Sequence, residues 1–439
     1  MVFKRSLLAA SVAATLIASG AAHATNGYFS HGYGVKSMGM GGSGVALPND
    51  SAMIIATNPA GITETGTQVN FDISWFHPVR GYSQTSNSGM FDASAESNSN
   101  NFYIPELSAS YAINDTSSIG IAIYGNGGMN SDYSSTATSL FGAGNTGPFA
   151  SRNPSTGALM GGGEGGVNLQ QMFIAPTYAH KFMDGKLSVG ASILFARQTI
   201  KVKGLGAFDN AMYSTDPGYV TGNEVSHSTG WGGKIGVLFH ATDMISLAAS
   251  YQTKMAMSKF DEYKGLFAEG GKFDIPSTWT VGGAFHVAPA WTLTADFQRI
   301  NYSGVKSIAN TSTTLGTNQL GADNGPGFGW KDVNVVKLGA QWQMTPALQL
   351  RVGFNHGTNP ISSQDVVFNT LAPGVVKNHY TAGLTYAIDQ HQEVSGAFMY
   401  APDVTVTGPN NAVAAYDPST TTTIHMKQYE ATIGYAYKF

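Results

Sequence analysis

The chain has 439 residues, of which 11% are charged, against about 25% in ordinary soluble domains, and its net charge is −4. That balance excludes a basic patch for nucleic acid, and the absence of cysteine excludes disulfide scaffolds, thiol catalysis and cysteine-based metal sites. So little charge, with 54 glycines and 11% aromatics, suits a chain whose outer face meets lipid rather than water.

Lys4 and Arg5, the apolar run 7–18 and Ala22-His23-Ala24 predict a secretory signal peptide over residues 1–24. Beyond it no run of about 18 apolar residues occurs, so no transmembrane helix is predicted. An exported chain of membrane-like composition without spanning helices points to a closed β-barrel, because only helices and closed barrels satisfy every backbone polar group in lipid.

Residues 25–62 read TNGYFSHGYGVKSMGMGGSGVALPNDSAMIIATNPAGI. They are rich in glycine and show neither strand alternation nor a sustained helical pattern. The expectation is a plug, or hatch, over residues 25–66 that fills the bore of a barrel formed by residues 67–439.

From Thr67 onward apolar and polar residues alternate in fourteen segments, near 67–79, 101–113, 117–127, 167–181, 186–202, 228–241, 244–258, 273–287, 290–303, 331–343, 346–358, 377–388, 391–404 and 424–439. Leu348, Leu350, Val352 and Phe354 oppose Gln349, Arg351, Gly353 and Asn355; Tyr380, Ala382, Leu384 and Tyr386 oppose Thr381, Gly383 and Thr385. A soluble sandwich has the same period, so the connections decide. Short turns (Asn114-Asp115-Thr116, Met183-Asp184-Gly185, Thr242-Asp243, Ala288-Pro289, Thr345-Pro346, Asp389-Gln390) alternate strictly with long links. This is the outer-membrane pattern of short periplasmic turns and longer external loops. The predicted fold is all-β: a 14-stranded antiparallel transmembrane barrel with both termini in the periplasm and an N-terminal plug. In the last segment Tyr429, Ile433, Tyr435, Tyr437 and the terminal Phe439 share one face. It resembles the C-terminal strand read by the bacterial barrel-assembly machinery.

The hatch ending in Asn58-Pro59-Ala60, the fourteen strands, and blocks such as DIPSTWTVGGAFHVAPAWTL and GFGWKDVNVVKLGAQW together resemble the FadL family of outer-membrane transporters for long-chain fatty acids and hydrocarbons. The likeness spans nearly all of the mature chain. It implies passive uptake of a hydrophobic ligand from an apolar groove among external loops, then lateral release into the membrane at a kink in the third strand.

Under that resemblance Asn126, Gly127 and Gly128 mark the kink and lateral opening, and Asn58, Pro59 and Ala60 mark the hatch. Pro59 pushes Asn58 into an extended geometry, from which its amide is expected to reach the groups freed by the kink. Exposed apolar residues in external loops suggest a capture groove. The candidates are Met129, Phe141, Phe149, Leu159 and Met160 in one loop and Phe260, Tyr263 and Phe267 in another; the other reading is that they pack on one another. Fatty-acid members place a basic residue inward near the end of the fifth strand. Here Arg197, Lys201 and Lys203 take the lipid-facing phase and Val202 the inward one. A second inward basic position falls at Pro326 or a neighbouring glycine. Both departures leave room for a neutral hydrocarbon or aromatic.

The histidines form no HxxxH pair, and Gly161-Gly162-Gly163-Glu164-Gly165-Gly166 lacks the Lys-Ser/Thr of a phosphate loop, so neither a metal nor a cofactor is expected. No catalytic spacing is found. The expected partners are a hydrophobic small molecule, outer-membrane lipid and lipopolysaccharide, and the assembly machinery through Phe439; no nucleic acid is expected, and the protein is expected to be a monomer of the bacterial outer membrane. The alternative is a general diffusion porin for polar solutes. Few inward charges and the dedicated N-terminal segment weigh against it.

Overall fold

The computed structural model describes residues 26–89, 92–133, 165–412, 414 and 417–439, with the backbone of 151–152 and 159–160. The predicted signal peptide lies outside them, as do Phe141 and Phe149. Among the described residues fourteen long strands form one antiparallel ring: β1 Gln68–Thr85, β2 Phe102–Ala112, β3 Ser117–Asp132, β4 Gly166–Phe182, β5 Leu187–Lys203, β6 Ser226–Thr242, β7 Ile245–Gln252, β8 Thr278–Ala288, β9 Trp291–Ile300, β10 Val333–Gln343, β11 Leu348–Gly357, β12 Asn378–Ala387, β13 Gln392–Pro409 and β14 Thr421–Lys438. Each pairs with its chain neighbours, and β14 pairs with β1 from Gln68↔Lys438 to Thr85↔Thr421. Closure leaves the ring without a first or last strand whose whole edge would expose unpaired N–H and C=O groups to lipid.

The short turns fall where the alternation stops. In the β4–β5 turn Met183, Asp184 and Gly185 all have positive φ, a tight reversal that glycine at its third position tolerates without strain. At the other end β1, β3, β13 and β14 run several residues farther than predicted. There the ladder continues after the lipid-facing alternation has ended, because backbone pairing needs no apolar face. β7 is shorter than predicted and stops at Gln252.

The outward face is apolar with aromatic residues toward both ends. Trp291 stacks on its cross-strand partner Trp342 at 5.4 Å beside the short turns, while Tyr103 and Trp231 project outward toward the loop end. On β14 Ile433, Tyr435 and Tyr437 are exposed, as is Phe439 just after it, whereas Gln428, Glu430 and Thr432 are buried inward.

Residues 26–66 occupy the bore. Their regular structure is limited to a helical turn, Val35–Met38, and 3₁₀ turns Ala52–Ala56 and Pro59–Glu64. An irregular buried backbone must find hydrogen-bond partners elsewhere, and the wall supplies them. Glu106 Oε2 accepts from Gly34 N at 2.7 Å, and Asp296 Oδ2 accepts from Gly44 N and Val45 N at 2.8 and 3.0 Å. Lys337 Nζ donates to His31 O at 3.0 Å and Gly42 O at 3.3 Å, and Lys234 Nζ donates to Ala56 O. Asn355, Thr381 and Asn70 bond further hatch backbone groups, and Lys36 pairs with Glu393. The expectation of few inward charges is therefore corrected. Asp72, Arg80, Glu106, Lys234, Asp296, Lys337, Arg351, Glu393 and Glu430 are all buried, and several are committed to the hatch rather than arrayed around an open constriction.

Candidate functional site

Among the described residues the ladder of the ring breaks beside β3; elsewhere it shows register shifts, at Ile245/Ser246, His286/Ala288 and Ala401/Val404. β2 pairs with β1 from Phe102↔Phe76 to Ser110↔Gln68, but with β3 only from Leu107↔Ile123 to Ala112↔Ser118. On its other side β3 stays paired with β4 as far as Asp132↔Gly166, with a register shift between Gly125 and Gly127. Asn126 is thus the extra residue of a bulge, which bends a strand away from its partner.

The N-terminal residues of the hatch fill the place left on β3. Phe29 bridges Gly127, Ser30 N donates to Asn126 O at 3.2 Å, and Gly128 N donates to Tyr28 O at 3.0 Å. Tyr33 Oη donates to Asn126 Oδ1 at 3.1 Å, and Asn126 Nδ2 donates to Gln171 Oε1 at 3.1 Å. Glycine at 127 serves close approach: a Cβ there would lie 1.7 Å from Tyr28 O.

Asn58 lies elsewhere, which corrects the expected contact with the kink. Its Nδ2 donates to Val45 O at 2.9 Å and to Val237 O of β6 at 3.1 Å, while its Oδ1 caps the following 3₁₀ turn by accepting from Ala60 N at 3.1 Å. Pro59 and Ala60 pack so tightly on β5 that a Cβ at Gly190 would meet Ala60 N at 2.5 Å. The reason is the path of the chain: residues 28–30 reach the kink first and satisfy it, and Asn58 holds the hatch to the neighbouring wall.

On the loop side of the hatch is a cavity lined by Val167, Val202, Leu205, Leu266, Phe267, Ser307, Pro326, Gly327, Phe328, Phe368 and Leu371. Ser307 is the one hydroxyl among the described lining residues, and it is spent on Lys272 O at 2.6 Å. The two positions singled out for an inward basic residue, Val202 and Pro326, both line it and neither is charged. Arg197, Lys201 and Lys203 stand on the opposite, outward phase of β5 from the buried Val202.

Of the predicted groove residues, Phe267 lines this cavity. Phe260 and Tyr263 instead brace the loop: Phe260 lies 6.1 Å from Phe267 and 6.4 Å from Phe273, and Tyr263 Oη accepts from Val202 N and donates to Asn223 O, each at 3.0 Å. They pack on one another and on Phe273. Met129 is buried on β3. Leu159 and Met160 form a two-residue strand paired with Ser151–Arg152, and their side chains lie outside the description.

Sequence reading missed the aromatic column joining the cavity to the kink. Phe267 contacts Phe273 at 5.2 Å, and Phe273 contacts Tyr28 at 6.4 Å. Phe328 contacts Trp330 at 6.3 Å, Trp330 contacts Tyr28 at 5.9 Å, and Tyr28 contacts Phe29 at 5.3 Å. Tyr302 Oη locks the column to the hatch, donating to Asn26 O at 2.6 Å and accepting from Tyr28 N at 3.1 Å. Burial pushes the Tyr28 and Tyr302 hydroxyls above the usual phenol range, so both stay protonated. Aromatic residues at 28, 29, 302 and 330 were visible in the sequence, but no spacing rule joins them.

A family described as "Outer membrane protein transport protein (OMPP1/FadL/TodX)" matches residues 11–439. Curated proteins gave no match. Among solved structures the chain is similar to the P. putida toluene transporter TodX, with 16% identity and a TM-score of 0.66 over 93% of this chain and 99% of that one. A Pseudomonas aeruginosa FadL homologue gives 13% identity and 0.64 over 96% and 100%, and the Ralstonia pickettii toluene transporter TbuX gives 18% and 0.61 over 93% and 99%. These likenesses carry the barrel fold.

Proposed function

The chain belongs to the outer membrane protein transport family (OMPP1/FadL/TodX), and from that premise we propose that it is a passive, hatch-gated channel for uncharged hydrophobic small molecules, monoaromatic hydrocarbons first among them. The carrying observation is the cavity around Val202, Phe267, Phe328 and Leu371, whose described lining is apolar except for a committed serine. Moving an arene from water into it gains about 25 cal/mol per Å² of apolar surface. A carboxylate brought there would lose hydration and find no cation among the described lining residues. TodX and TbuX, toluene transporters by description, share the fold.

The route runs from this cavity along Phe273, Tyr28 and Phe29 to the β2–β3 break, where the ligand leaves sideways into the outer membrane. Two observations support a sideways exit over a downward one. The flank of the break carries Phe76, Phe102, Ile104 and Tyr124. The bore below is filled by hatch backbone bonded to Glu106, Asp296 and Lys337, through which a hydrocarbon would displace polar contacts and gain none. Opening requires residues 28–30 to leave β3. The protein works as a monomer among outer-membrane lipid and lipopolysaccharide, delivered by the assembly machinery through the strand ending at Phe439.

Equilibrium binding to purified protein, followed by Trp330 fluorescence, tests this reading. Toluene is expected to bind, and laurate at neutral pH to bind at least about ten-fold more weakly. Equal affinity would overturn the uncharged-ligand reading. Steady ion conductance like that of an open pore, in planar bilayers, would favour the porin alternative.

A further inference from the structure

The break between β2 and β3 has an upper edge as well as a lower one. Pairing stops below at Leu107↔Ile123. It resumes above, where Asn98 N donates to Asp132 O at 2.8 Å and Asp132 N donates to Ser97 Oγ at 3.1 Å. Beside that upper edge Arg80 of β1 reaches across to β3. Its Nε donates to Asn130 O at 2.6 Å, and its Nη2 donates to Asn130 Oδ1 at 2.9 Å and Ser99 O at 2.7 Å. Its Nη1 donates to Pro78 O at 2.9 Å and Asn100 Oδ1 at 3.4 Å. The guanidinium lies 5.7 Å from the Phe102 ring, and the residue is 1% exposed.

A strand that leaves its neighbour strands backbone carbonyls, and each must be met by something else. Arginine presents five N–H donors in a rigid planar fork, whereas lysine offers three on a single point. Here the fork meets carbonyls of three separate pieces of chain: β1 at Pro78, the 97–100 segment at Ser99, and β3 at Asn130. It does with one side chain what the β2–β3 ladder does lower down. Burying a guanidinium is costly unless its donors are met in good geometry, and these are.

We propose that Arg80 is the positioning residue that fixes the upper rim of the wall opening, and so sets the width of the ligand that can leave sideways. This rests on the lateral exit put forward above. The ligand passes under Arg80, against Phe76 and Phe102, and the span from Arg80 to Asn130 holds β3 at a fixed distance. With the fork removed, the upper part of β3 is tied to the 97–100 segment through Asn98 and Ser97, and the gap widens.

The test uses the full-length protein in vesicles and two probes of different width, toluene and 1,3,5-trimethylbenzene. Arg80→Met, shown to be folded by its heat-modifiable gel mobility, is expected to raise the uptake ratio of the wide to the narrow probe by about ten-fold, the discrimination that a methyl-sized change of fit produces. Asn130→Ala, which removes one accepting oxygen and keeps the guanidinium, should shift the ratio the same way by less, and serves if Arg80→Met does not fold. The chain has no cysteine of its own, so Asn98→Cys with Asp132→Cys places the only thiols at backbone neighbours across the rim. In the Arg80→Met background, oxidation should restore the original ratio and reduction should raise it again. A folded variant with an unchanged ratio, or a raised ratio that the disulfide does not lower, overturns the role of Arg80. Deleting Asn126, the extra residue of the bulge, separates the two ideas. If the folded deletion variant passes both probes at the original rate, the lateral exit fails and Arg80 with it. If it blocks both while Arg80→Met leaves the ratio unchanged, only the role of Arg80 fails.

Discussion

Tyr28 and Gly127 meet so closely that no side chain fits between them: a Cβ on Gly127 would sit 1.7 Å from the Tyr28 carbonyl oxygen. This contact joins the leading end of the hatch to the bulged strand. The substitution Gly127→Ala must therefore push residues 28–30 off β3, at a cost of about 1–3 kcal/mol as overpacking. Amide hydrogen exchange at residues 26–30 is expected to rise while exchange in β10–β12 stays unchanged. Intact protection at residues 26–30 would mean that this contact does not hold the seal.

Val202 and Pro326 line the apolar cavity without contributing charge. Val202→Arg places an unpaired cation there, so toluene binding should fall by about ten-fold or more, in line with the cost of a buried charge without its partner. Laurate binding should rise in the same variant, because its carboxylate supplies the missing partner. Titration of both ligands against the two proteins checks the reciprocal change.

Asn58 touches the hatch and β6, away from the kink. Asn58→Ala removes a cap and leaves the Val45 and Val237 carbonyls short of a donor, a loss of about 1–3 kcal/mol. The expected result is faster exchange over residues 45–62 with undisturbed protection at residues 26–30. The opposite pattern would show that Asn58 acts through the kink after all.

His31 supplies a pH dependence with a definite sign. Burial, reinforced by the positive charge of Lys337, pushes its imidazole down to about 3. The unfolded chain takes up a proton near pH 6.5, and the buried ring does not. The contribution of His31 to hatch stability is therefore fully present above about pH 6.5 and declines as pH falls from there toward 3. Exchange at residues 26–34, corrected for intrinsic rates and compared between the two proteins, should gain more from His31→Gln at pH 7.5 than at pH 5.0: the protection of the unaltered protein relative to the variant should fall as pH is lowered across that range.

The barrel was legible because its information is local. Leu350 and Val352 against Arg351, or Leu384 and Tyr386 against Thr385, announce the wall in any short window, and strand order follows from the turns. The hatch was recognisable by what it lacks. Its path was not, since an irregular backbone has no period from which a partner can be deduced; hence Asn58 was expected at the kink, where Tyr28 and Ser30 stand. The cavity was legible only in part. Val202 and Pro326 were singled out through the family resemblance, but Val167, Phe328 and Leu371 come from separate connections or strand ends that only the closed ring brings together. The inward charges were underestimated because alternation marks a residue as facing inward without saying that Asp296 or Lys337 has a hatch carbonyl or amide to hold.

Most of the wall's grip on the plug goes to peptide groups: Glu106 on Gly34, Asp296 on Gly44 and Val45, Lys337 on His31 and Gly42, Thr381 on Gly41. Such a grip recognises the course of the main chain and is indifferent to most of what hangs from it. Side chains along the stopper, apart from those such as Tyr28, Phe29, Tyr33, Lys36 and Asn58 that make contacts of their own, are thus free to drift, provided they stay small where the fit is tight, while the lining that holds them is fixed. A cork of this kind can be re-cut for new cargo without altering the bottle.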